Sequence, residues 1–200
     1  GVNMEKEKFF SAKKLAALAM LTALVIVLQI FGSYFAIGAV RLSFVLIPIV
    51  VGAIVLGPLY GAFLGFVFGA VTYIMGIVGL DPFTQVLFTE HPFLTALTCF
   101  IKAISAGFLS GLAYKLIKSK SELAAVFVAA AVAPIVNTGI FILGALTMYD
   151  SINTMAVANN ASVVYFLFIL CAGVNFLIEF ALNMVLAPSV CRVIRAVRKV

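Results

Sequence analysis

The sequence predicts an all-α integral membrane protein, a six-helix bundle with both termini in the cytoplasm. Three observations predict it. The 200 residues are 65% hydrophobic and only 10% charged, with a mean hydropathy of +1.27, more apolar surface than a soluble domain of this length can hide. The apolar residues fall in six continuous stretches, at 13–31, 42–56, 60–78, 93–117, 123–147 and 163–190. A helix needs about 20 such residues to cross a ~30 Å hydrocarbon core, and unbroken runs without alternation suit helices and not barrel strands. The charges are also sorted. Lys6, Lys8, Lys13 and Lys14 precede the first stretch, Lys115, Lys118 and Lys120 close the fourth, and Arg192, Arg195, Arg198 and Lys199 follow the sixth. Connections on the other side carry Asp81, Glu90 and Asp150, with Arg41 as their one base. Basic residues concentrate on the cytoplasmic side of membrane proteins. The chain reads as one transmembrane domain over 1–200.

Each stretch has its own reading. The first carries two small-residue pairs, Ala12 with Ala16 and Ala19 with Ala23. Small residues four apart allow close helix approach, either inside the bundle or against another membrane subunit. The second stretch is short and is expected to be strained or to stop partway. The third reads Gly61, Gly65, Gly69, and the fourth carries Gly107 and Gly111, a pattern for internal packing. In the fifth, Pro134 is expected to kink the helix, with Asn137 one turn on. In the sixth, Asn175, Glu179 and Asn183 follow i, i+4, i+8 and share one face.

Polar groups within spans are costly, which makes them functional candidates. At 1.5 Å per residue, Lys102, Asn137 and Asn175 lie ~14, ~15 and ~18 Å below the outer ends of their helices, with Glu179 a turn deeper. Two readings stand. Lys102 and Glu179 form a structural ion pair, or Lys102 meets an anionic ligand group while the asparagines bond its hydroxyls and amides. Two outer connections, 32–41 and 79–92, mix Gly or Pro with Tyr34, Phe35, Phe83 and Phe88. They read as lids over a small-molecule site or as aromatic anchors at the interface.

Several classes are excluded or unsupported. The clustering of the basic residues at membrane boundaries argues against nucleic acid. No GxxxxGK[ST], HExxH or GxSxG motif occurs, and acids and histidines do not cluster as an enzyme site would have them. Cys99, Cys171 and Cys191 lack metal-ligand spacing, and His91 is alone. The expectation is no enzyme, no metal and no cofactor.

The stretch from Arg41 to Pro48 (RLSFVLIP), followed by Gly52 to Ala62 (GAIVLGPLYGA), resembles the second and third spans of substrate-binding (S) components of energy-coupling factor (ECF) transporters. The likeness extends over most of the chain. It implies a vitamin-binding protein in a prokaryotic plasma membrane, with a transmembrane coupling subunit and two ATPase subunits as partners on separate chains. It also implies that Ala12, Ala16, Ala19 and Ala23 face the coupling subunit. Within the family, residues 79–84, 98–102 and 175–179 look most like pantothenate or riboflavin binders. Pantothenate is favoured, its carboxylate taken by Lys102 or Arg41, with Asn137, Asn175, Glu179, Tyr34 and Phe83 completing the site. Riboflavin or another vitamin is the alternative cargo. A small membrane enzyme or scaffold is the alternative of a different class.

Overall fold

The computed structural model describes the backbone of residues 2–32, 34, 36–37, 40–41 and 44–198, and the side chains of 12–32, 34 and 44–192. Five helical stretches are long and apolar enough to cross a membrane. They lie in α1 (Val2–Gly32), α3 (Pro58–Ile77), α5 (Pro92–Ile117), α6 (Glu122–Leu146) and the run from α8 (Val163–Tyr165) into α9 (Val174–Arg198). The expected span at 42–56 is shorter than a crossing. Its helix, α2 (Leu46–Val55), has 10 residues, about 15 Å at 1.5 Å per residue and half of a ~30 Å core. Before it, β1 (Ala36–Ile37) and β2 (Val40–Arg41) pair antiparallel. The connections expected as loops contain helices. Pro82–Glu90 is α4 and Tyr149–Ala158 is α7.

The core is built on α3 and α5. A Cβ added at Gly61 would come 2.5 Å from the Gly107 carbonyl oxygen, and one at Gly69 would come 2.7 Å from that of Cys99. One at Gly65 would overlap the Ala103 carbonyl. The partner numbers fall as the α3 numbers rise, so the helices are antiparallel and nearly touch backbone to backbone. Only glycine permits that approach. Gly52 of α2 abuts both Leu64 and Leu21, and Gln29 Nε2 donates to Thr72 Oγ1 at 3.1 Å. Helix α1 thus rises alongside α3 in the same direction, while α2 descends against it. Val25, Val45, Leu46, Ile49, Leu64, Phe68 and Ala103 form one buried cluster. Helix α2 therefore begins level with the middle of α3. Backbone without helical bonding is tolerated at that depth only against protein, and β2 lies against α9.

Helices α6 and α9 are antiparallel as well. Ala125, Ala129 and Ala133 share a buried cluster with Ala187, Val190 and Cys191. These directions gather Lys13, Lys14, Lys115, Lys118, Lys120 and Arg192 at one end of the bundle, and Asp81, Glu90 and Asp150 at the other. Between α8 and α9 runs a π-helical segment, Phe166–Gly173. A Cβ at Gly173 would sit 2.6 Å from the carbonyl oxygen of Phe168 five residues back, so glycine suits the wider turn. Such segments are rare and often mark functional sites. This one ends two residues before Asn175.

Candidate functional site

A pocket opens between α4, α5 and α6 at the acidic end of the bundle. Its walls are Phe83, Thr84 and Leu87 from α4, Thr95, Thr98, Cys99 and Lys102 from α5, Phe141 from α6, and Met148. Helix α5 contributes residues at i, i+3, i+4 and i+7, one helical face. The Lys102 ammonium lies 5.5 Å from the ring centroids of both Phe68 and Phe141, within cation–π range. It forms no ion pair among the described residues, so the Lys102–Glu179 pair read from the sequence is not made. The cavity volume is about 20 Å³. That is room for a water or two. A small organic molecule of the usual pocket size, roughly 300 Å³ and up, enters only if the walls part.

Helix α4 forms the outer wall of the pocket. Gly79, with φ +76°, turns the chain into it, and Thr84 Oγ1 donates to Asp81 Oδ2 at 2.6 Å across its first turn. At its far end the buried Ser151 hydroxyl of α7 donates to Glu90 Oε2. The Ser151 hydrogen bond and the ring contacts of Phe83 with Phe141 and of Phe88 with Tyr73 hold this nine-residue helix over the pocket.

The other predicted polar residues form a second layer, between α6 and α9. Ala129, Ala133 and Asn137 repeat every four residues on α6, as do Asn175, Glu179, Asn183 and Ala187 on α9. Their alanines share a buried cluster, and α6 packs along α9. Glu179 is 1% exposed and Asn137 4%. Asn175 Nδ2 donates to Glu179 Oε1 at 3.0 Å, and Asn183 Nδ2 donates to the Glu179 carbonyl at 2.8 Å. That leaves Asn137 Oδ1 and Asn175 Oδ1 buried with no hydrogen-bond partner among the described residues. An orphaned buried acceptor costs roughly 1–3 kcal/mol until a donor reaches it. Both layers flank Phe141, which lies one turn from Asn137 on the same helix.

A model of the family "ECF transporter, substrate-specific component" matches residues 13–191. The chain belongs to that family. A search of curated proteins finds no match. The family is one of transporter substrate-binding components and not of enzymes, which accords with a site built of binding groups. Membership implies a small-molecule substrate and ECF-module partners in general.

Of the other residues proposed from the sequence, Phe83 of this S component lines the pocket, while Tyr34 is 71% exposed and stands apart from it. Arg41 belongs to β2, and the expectation for its side chain lies outside the described residues. Ala12, Ala16, Ala19 and Ala23 are all exposed on α1. The span of α1 is 11% buried against 44% for α3, so its small residues serve no internal packing. Sequence reasoning missed Leu87, Thr95, Phe141 and Met148. Asp81-Pro82, a helix-start signal, could have revealed α4.

Proposed function

We propose that this S component captures a small carboxylate-bearing vitamin, pantothenate in the first instance, from the outer side of a prokaryotic plasma membrane. The single observation that carries this is the Lys102 ammonium, held in a pocket by two phenyl rings and by no carboxylate among the described residues. A cation there gains most from an anion that enters with the cargo, because hydrogen bonds to charged groups are worth about 1.5–3 kcal/mol. The unpartnered oxygens of Asn137 and Asn175 complement hydroxyl and amide N–H groups, which pantothenate carries at a distance from its carboxylate. Glu179 orients Asn175, and Phe83 forms part of the cover. Arg41 and Tyr34 remain further candidates for contact with the cargo. Riboflavin, neutral near pH 7, would leave Lys102 without a counter-charge.

In this reading the basic end of the bundle faces the cytoplasm, both termini lie there, and the pocket opens outward. The exposed alanines of α1 dock on the transmembrane coupling subunit, and two separate ATPase subunits supply the energy. The test is to denature the purified protein and identify what it releases by mass spectrometry, then to titrate the emptied protein with pantothenate and riboflavin. Pantothenate in the extract and a saturable affinity for it are expected. Release of riboflavin, with no pantothenate binding, would reject this cargo.

A further inference from the structure

The hydroxyls on the pocket face of α5 behave unlike others in the protein. Those of Thr22, Thr72, Thr89 and Thr154 each donate to the carbonyl four residues back, at 2.8, 2.9, 2.8 and 3.0 Å. This is the usual way a helix absorbs a threonine. Thr95 instead donates to the Met148 sulfur at 3.5 Å, a weak acceptor. Thr98 makes no hydrogen bond among the described residues. Both line the pocket, and Lys102 follows Thr98 by one turn on the same face. Three donors therefore stand in a row from the acidic end inward, and none is committed to a strong acceptor.

Gly144 explains the position of the middle one. It lies between Phe141 and Met148, both in the pocket wall. A Cβ at Gly144 would overlap Thr98 Oγ1 and come 2.5 Å from its Cγ2 and 2.9 Å from its Cβ. No rotation of the threonine clears all three atoms, so an alanine here must move the threonine or part the helices.

We propose that Thr95, Thr98 and Lys102 form a donor ladder on α5 that binds the cargo's carboxylate, and that Gly144 is the positioning residue that sets the ladder against α6. This rests on the reading of the site as one for an anionic cargo. The carboxylate accepts from the hydroxyls near the entrance and then from Thr98 and the ammonium together. A row of donors on a single rigid helix selects an acid over its neutral amide, because charge-assisted hydrogen bonds are roughly twice as strong as neutral ones.

The test uses the full chain in detergent, with calorimetric titration of pantothenate and of its neutral primary amide. Thr98→Val keeps the side-chain shape and removes the donor. It is expected to weaken the acid by about tenfold and the amide by distinctly less. Gly144→Ala is expected to weaken both. Should Gly144→Ala impair folding, Thr98→Ser in the same background, which removes one of the three crowded atoms and frees the hydroxyl to rotate away, is expected to recover part of the thermal stability and part of the affinity. If Thr98→Val leaves acid binding unchanged while Lys102→Met weakens it, the ladder is wrong and the anionic reading of Lys102 stands. A wild-type preference for the amide or for riboflavin overturns both. If a different carboxylate vitamin binds and Thr98→Val weakens it, the ladder holds and only the named cargo falls.

Discussion

Two phenyl rings give the Lys102 ammonium only a modest gain, about 0.5–2 kcal/mol, and leave it available for a stronger partner. Lys102→Met retains length and apolar bulk while removing that charge. Affinity for an anionic cargo is expected to fall by about 1.5–3 kcal/mol, roughly tenfold to more than a hundredfold, measured by titration. Equal weakening of the acid and its amide would show that the charge is not what is recognised. Asn175→Ala removes a neutral hydrogen bond and should cost less, about 1 kcal/mol. Glu179→Gln disturbs the acceptor that fixes the Asn175 amide, so affinity should fall with it. An unchanged affinity would place the α9 layer outside the site. These residues were legible because a charge or carboxamide in an apolar run has to be accounted for. Thr95, Phe141 and Met148 were not, because threonine, phenylalanine and methionine are ordinary in spans and only the folded face separates pocket wall from lipid contact.

At the scale of elements, two small-residue stripes look alike in sequence and lie in opposite environments. The glycines of α3 meet the α5 backbone, whereas the alanines of α1 are exposed. Gly65→Val is expected to destabilise the protein by about 1–3 kcal/mol or more, the range for overpacking, read as a lowered unfolding temperature in detergent. Ala19→Leu or Ala23→Leu should leave that temperature and cargo binding unchanged while reducing uptake by the assembled transporter. If binding is lost along with uptake, the α1 face is not a docking surface. Spacing alone could not tell these stripes apart, since the four-residue period records closeness and not the identity of the neighbour. The shortness of α2 was readable from its length. The π-helical segment was not, because extrapolating 3.6 residues per turn from Val163 misplaces the face on which Asn175 emerges.

For the whole molecule, the paired helix directions put the starts of α1 and α6 and the ends of α5 and α9 at one end, together with the basic side chains. In the proposed topology this end lies in the cytoplasm, the side on which basic residues concentrate. The pocket lies at the opposite end, under α4 and beside α7. The native thiols give a clean background, since Cys99 and Cys191 are buried and Cys171 is partly so. Asn153 on α7 and Ser119 between α5 and α6 are both exposed. A cysteine at Asn153 is expected to react in intact cells with a membrane-impermeant thiol reagent, and one at Ser119 only after the cells are opened. The two positions have similar exposure, so a difference in labelling reports sidedness and not local accessibility. Labelling of Ser119→Cys in intact cells would turn the bundle over. The pocket would then face the cytoplasm, and the reading as an uptake component would fail even if every affinity measured in detergent came out as expected.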